Sequence, residues 1–288
     1  VDVAGGPIDS LAPLTALEAL RELMLSHVDA TGLAVIAQLE GLEHLSLHDS
    51  AAHDLSFVHG LQHLRRLELH SSNVHDVASL SRLPDLASVA LVANPVTDLA
   101  PLADLPRLWS LTLEEMQPDD WGFLAELESL NHLALGRNSN FHSAALTHLP
   151  ESVRGLWIYD QELDGLAFLR ETPQLESLAL MGTDIVDASV VGELTSLVDL
   201  NLVSNRITDL SFLAGLTQLS YLGLTQNRIS SIEPLLDLEL GSGDLTIDLV
   251  YNCLDHTPGS DAWRVVTELE SRGVTVWWEP QEECGVDD

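Results

Sequence analysis

Lysine is absent from this 288-residue chain, and 12 arginines stand against 45 aspartates and glutamates, a formal net charge of −33. A surface of that sign repels phosphate backbones and anionic headgroups, which argues against nucleic-acid binding and electrostatic attachment to membranes. A basic protein or peptide remains an admissible partner, although solubility or a high-salt habitat accounts for the same charge with no partner at all. Cysteine occurs only at Cys253 and Cys284, too sparsely for a disulfide scaffold and without Cys-x-x-Cys spacing. The two can form one bridge, which would imply an oxidising compartment, or stand as free thiols; the sequence leaves both open. No run of 18 apolar residues occurs, so no membrane-spanning helix is expected.

Catalytic signatures are equally scarce. There is no glycine-rich phosphate loop and no paired-carboxylate cleft. Ser46, His48 and Asp49 fall within four residues, yet a strand would carry Ser46 and His48 side by side on an open face with no oxyanion pocket. An open face also fails to exclude water. Neither catalysis nor a cofactor is expected.

One pattern fills the chain instead. Leu-x-x-Leu-x-Leu-x-x-Asn-x-Ile and its variants begin at Leu20, Leu42, Leu64, Leu86, Leu108, Leu130, Val153, Leu175, Leu197, Leu219 and Asp244, a step of 22 residues with two exceptions. A unit this short cannot close a core alone, so each copy must bury its leucines against its neighbours. In the copy from Leu197, the alternation Leu200, Leu202 predicts a short strand with leucines inward and Asp199, Asn201 and Val203 outward. Asn94, Asn138, Asn205, Asn227 and Asn252 share one phase, where a buried amide can satisfy backbone groups at a sharp turn. Val28 and Met116 occupy that phase without an amide, and Ser50, Ser72 and Thr183 replace it in part, so looser turns are expected there. Asp54, Asp76, Asp98, Asp120, Asp187 and Asp209 precede the return segment, where capping of short helical turns explains them better than calcium, because they stand a whole repeat apart. Phe57, Phe123, Phe168 and Phe212 are expected to stack as an internal spine.

These residues resemble the bacterial 22-residue leucine-rich-repeat family, whose best-known members are the internalins; the match is close from Leu197 to Leu216 and from Leu219 to Ile232. The resemblance implies an α/β fold, a right-handed solenoid with parallel strands on a concave face, short helical turns on the convex face, and recognition of partner proteins through the concave side. A regulatory subunit of protein phosphatase 1 is also built from this repeat length. Residues 1–256 are read as repeats and 257–288 as a cap and acidic tail of one continuous domain. Within the cap, Asp261 to Ser271 carries a helical stripe, Val274 to Trp278 alternates like one more strand, and Trp263, Trp277 and Trp278 are expected to pack it together. Val1, Val3, Ile8, Leu11, Leu14 and Leu17 read as a partial first unit with no cap before it, which predicts upstream sequence, a neighbouring domain or a covering partner.

Twelve strands at about 4.8 Å give an inner surface of about 50 Å, long enough for a folded partner. On it Trp157 and Tyr159 share one strand, flanked by Ala134, Gly136 and Ala179, with Met181, Val203, Tyr221 and Arg137 completing an expected partner-binding patch. His48 and His70 hold the same outward phase on adjacent strands beside Glu68, a candidate divalent-metal set that leaves His44 too far along its strand to join. The resulting expectation is a non-catalytic recognition module, extracellular or on the cell surface. An intracellular scaffold or regulatory subunit and a structural spacer are the alternatives.

Overall fold

The computed structural model describes residues 2–3, 11–238 and 245–282. The calls on Val1, Ile8, Asp244 and Cys284 lie outside them. The chain groups into two compact units, one of residues 1–141 with 148–152 and the other of 142–147 with 153–288.

The first unit contains β1 (Asp2–Val3), β2 (Glu22–Ser26), β3 (His44–His48), β4 (Arg66–His70), β5 (Ser88–Val92), β6 (Ser110–Glu114) and β7 (His132–Gly136). Each pairs in parallel with the next, and the register steps by one repeat: Leu23, Leu45 and Leu67 align, as do Leu25, Leu47 and Leu69. These six leucines are at most 1% exposed. The strict 22-residue period therefore puts like leucines on like, burying each repeat's ridge beneath the next. The return segments are single 3-10 turns, such as Ser56–Gly60 and Ala100–Asp104, except for the α-helix α1 (Ala30–Ile36).

The second unit repeats the plan with β8 (Gly155–Tyr159), β9 (Ser177–Met181), β10 (Asp199–Asn201), β11 (Tyr221–Gly223), β12 (Thr246–Asp248) and β13 (Thr275–Trp277), again parallel and in sequence order. The helix α2 (Asp261–Ser271) begins at Ser260, whose Oγ accepts the Trp263 N–H, and buries Ala262, Val265, Val266 and Leu269. With β13 it forms the expected cap. The tryptophans depart from expectation: Trp263 and Trp278 meet edge to face at 5.9 Å, but Trp277 points to the outer strand face and is 55% exposed.

The turn after each strand has a common device. His27, Asp49, Ser71, Ala93, Glu115, Arg137, Asp160, Ser204, Gln226 and Tyr251 all take positive φ at one phase, and Gly182 takes it in the remaining repeat. The next position faces inward and carries the amide. Asn205 Oδ1 accepts from Thr183 N and Ile185 N, while its Nδ2 donates to Leu180 O and Leu202 O. Each amide thus serves the repeat before it, and turns lacking their own amide are still held from the next repeat: Val28 N by Ser50 Oγ and Met116 N by Asn138 Oδ1.

The aspartates act one residue earlier than an N-cap. Asp54, Asp76, Asp98, Asp120, Asp187 and Asp209 each accept the N–H two positions on, which steers the chain into the 3-10 turn. The phenylalanine spine is not formed as expected, because the four rings lie two or more repeats apart in sequence. Phe57, Phe123 and Phe168 are buried while Phe212 is only half-buried, and Phe123 lies beside Trp121, which meets Phe141 edge-on at 5.0 Å.

Candidate functional site

Alternation along β8–β13 sends every second side chain to the outer face of the sheet, so their register decides which of these residues are neighbours. Trp157 aligns with Ala179 and Tyr159 with Met181. Trp157 is 37% exposed, and its indole N–H donates to Ser177 Oγ at 3.1 Å, so the ring reaches across onto β9. Tyr159, Met181 and Tyr221 are half-buried on the same face. Val203 was expected on a strand, but β10 ends at Asn201, because Asn201 Oδ1 takes the Val203 N–H and diverts it from the ladder. Arg137 belongs to the first unit, where its guanidinium binds Glu114 at 2.9 Å and Glu115 at 3.0 Å. It is thus paired with two carboxylates of its own unit while its side chain stays 44% exposed.

Two features of the second unit escaped the sequence reading. Trp277 aligns with Asp248 and stands exposed in the same outward row as Trp157; the alternation of Val274 to Trp278 carried the signal, which the expectation of a packed cap obscured. Tyr221 lies along its own strand over Gly223. A Cβ on Gly223 would sit 3.0 Å from the Tyr221 hydroxyl and 3.1 Å from its ring, so glycine makes the room. Burial, then the nearby Asp248 carboxylate, raises the Tyr221 phenol above its ordinary value.

In the first unit the His48 and His70 rings stack at 4.3 Å and 8°. Parallel stacking holds the ring nitrogens in separate planes instead of aiming them at one point. Glu68 turns to Arg66 at 2.7 Å and stands 3.7 Å from His44 Nε2, so the excluded His44 is in fact the histidine that approaches it. Burial opposes ionisation of Glu68, but Arg66, Ser46 and His44 outweigh it and hold its carboxyl below the usual range. Burial, then His48, lowers His70. Among the described residues no group of three or more His, Cys, Asp or Glu side chains is arranged to hold a metal. Trp109, which the sequence reading passed over, is 52% exposed beside β6, its ring 4.3 Å from that of His132.

Parallel strands stack in 22-residue register, the returns are mostly 3-10 turns, and an inward amide recurs at most of the turns from Asn94 onward. The fold is that of the leucine-rich repeats. The family described as leucine-rich repeats, in two copies, matches residues 195–237. In solved structures, an internalin (InlF) from Listeria monocytogenes is 24% identical, with 94% of this chain and 84% of that one covered at a TM-score of 0.68. The internalin C2 (InlC2) structure from the same organism is 25% identical over 71% of this chain and 81% of that one, at a TM-score of 0.48. The structure of PEPR1-AtPEP1 is 17% identical, covering 93% of this chain and 46% of that one at a TM-score of 0.50. No curated protein matches the sequence. The leucine-rich-repeat frame is therefore internalin-like in architecture. Cys253 is disulfide-bonded, and Cys284 lies outside the described residues. No helix among the described residues is long and apolar enough to cross a membrane.

Proposed function

We propose that this leucine-rich-repeat protein is a non-catalytic recognition module that binds a partner protein or peptide through the strand face of its second unit. The observation that carries the reading is the outward row of β8 and β9. Trp157, Tyr159 and Met181 stand there among small residues, with Tyr221 two strands beyond, large side chains left accessible where the strand alternation requires no apolar group. Accessible aromatics on a rigid, pre-organised surface are the usual anchors of protein interfaces. The PEPR1-AtPEP1 structure, similar in fold, pairs two molecules, which supports partner binding on such a frame.

A surface or secreted location accompanies this reading, supported by the disulfide at Cys253 and the similarity in fold to an internalin. The test is capture of a partner from the native host or its neighbours with wild-type, Trp157→Ala and Tyr159→Ala proteins as bait. Loss of at least about tenfold in captured partner on either substitution is expected, the scale of a buried aromatic anchor. Equal capture by all three would remove Trp157 and Tyr159 from the binding face.

A further inference from the structure

The strand-face carboxylates of the two units are treated differently. In the first unit Glu68 has Arg66 at 2.7 Å and Glu114 has Arg137 at 2.9 Å. In the second, β8–β13 contain no arginine, lysine or histidine. Asp199 and Asp248 stand on that face with no ion pair among the described residues; Asp248 accepts only the Val250 N–H. With 45 acidic residues against 12 arginines most carboxylates of the chain lack a counter-charge, but these two share one strand face with aromatic side chains, where an incoming cation is favoured.

What lies between them selects the kind of cation. Tyr221 aligns with Asp199 on one side, and Gly223, beneath the Tyr221 ring, aligns with Asp248 on the other. The Tyr221 hydroxyl and ring edge lie over buried Gly223, and the side chain is half-buried, so part of the ring stays open to solvent. A flat aromatic face flanked by carboxylates attracts an organic cation through the ring quadrupole and the charges together. A metal ion would need several converging oxygens, which this spacing does not supply. Trp277, next in the row beyond Asp248, and Trp157 at its other end offer apolar contacts along the same line. The chain has no lysine and its strand-face arginines are already paired, so a second copy is a poor source of the cation.

We infer that the face of β10–β13 is a cation-receiving platform, on which an arginine or lysine of an extended basic peptide lies over Tyr221 between Asp199 and Asp248. This rests on the reading of the strand face as a docking surface and names the chemistry of the occupant. The test is calorimetric titration of the full chain at low salt with a nine-residue Arg-Gly-Ser repeat peptide, and with the same peptide carrying neutral citrulline for arginine. Saturable binding is expected, weaker by about tenfold for citrulline and for Asp199→Asn/Asp248→Asn. Asp54→Asn/Asp76→Asn removes the same charge from the return segments and should change affinity by less than about twofold. Gly223→Ala displaces the Tyr221 ring and should weaken the peptide by about fivefold, with circular dichroism reporting retained fold.

Equal losses in the two aspartate pairs would reduce the effect to bulk charge and overturn the platform. So would unchanged affinity in Asp199→Asn/Asp248→Asn; if Trp157→Ala still abolished partner capture in that case, the docking face would survive without it. Loss of the peptide in the Asp199/Asp248 variant with normal capture by Trp157→Ala would leave the platform standing and dismiss Trp157 as the anchor.

Discussion

At the scale of single residues, Asn205 does more than any leucine to shape its turn. It is 7% exposed and holds two amide N–H groups and two carbonyls of its own and the preceding repeat. Asn205→Ala would strand these buried groups, and a loss of about 3 kcal/mol is expected in urea unfolding, since each unmet group costs about 1–3 kcal/mol. The turn aspartates make a pH prediction. Hydrogen bonds from Ser189 and Ser211 hold Asp187 and Asp209 below the ordinary carboxyl value of 3.8. A depressed folded value means their stabilisation is complete above 3.8 and lost as pH falls through the lower folded values. The stability gap between wild type and Asp187→Ala/Asp209→Ala, measured by chemical unfolding, should therefore be wide at neutral pH and narrow in strong acid. The asparagine phase was legible because it recurs every 22 residues. Gln161, buried at that phase, was not, since its repeat is one residue longer and the side chain is a different amide. Tyr221 could be placed outward from the sequence, but its recumbent pose could not, because it depends on the missing Cβ at Gly223 two residues away.

Among the elements, strand positions followed from alternation and strand lengths did not. The shortening of β10 and β12 comes from Asn201 and Asp248, whose side chains take the N–H of Val203 and Val250. That side-chain competition for a backbone N–H is invisible to a hydrophobic pattern, and it does not account for β11, which is equally short with Gly223 at that position. The cap was readable as a helix and a strand, yet its fastening was not. Gln281 Oε1 accepts from Asn252 N and Leu254 N, and Gln281 Nε2 donates to Leu249 O, the pattern made elsewhere by the buried asparagines. Ser260→Ala removes the N-cap of α2 and should cost about 1 kcal/mol by thermal or urea unfolding. Cys253→Ser removes the disulfide next to this fastening, and a loss of about 2–4 kcal/mol is expected from the same measurements.

For the molecule as a whole, the net charge of −33 sets the response to salt. The ion pairs, such as Arg170 with Glu193 and Arg107 with Asp85, are mostly exposed and contribute little. Self-repulsion between like charges is the larger electrostatic quantity, and screening relieves it. The thermal midpoint should accordingly rise by on the order of 3 °C between about 20 mM and about 500 mM sodium chloride in calorimetry; a fall would mean that the ion pairs outweigh the repulsion. The amide bonding also has a direction, since Asn205, Asn227 and Asn252 each complete the coil before them, and the turns of Asn205 and Asn227 rely in the same way on the coil after them. Gln281 ends that dependence without needing a successor. Whole coils could thus be spliced in or out upstream, whereas any shortened version must keep its tail through Gln281, because a chain stopped earlier would leave its last bend with nothing to close it.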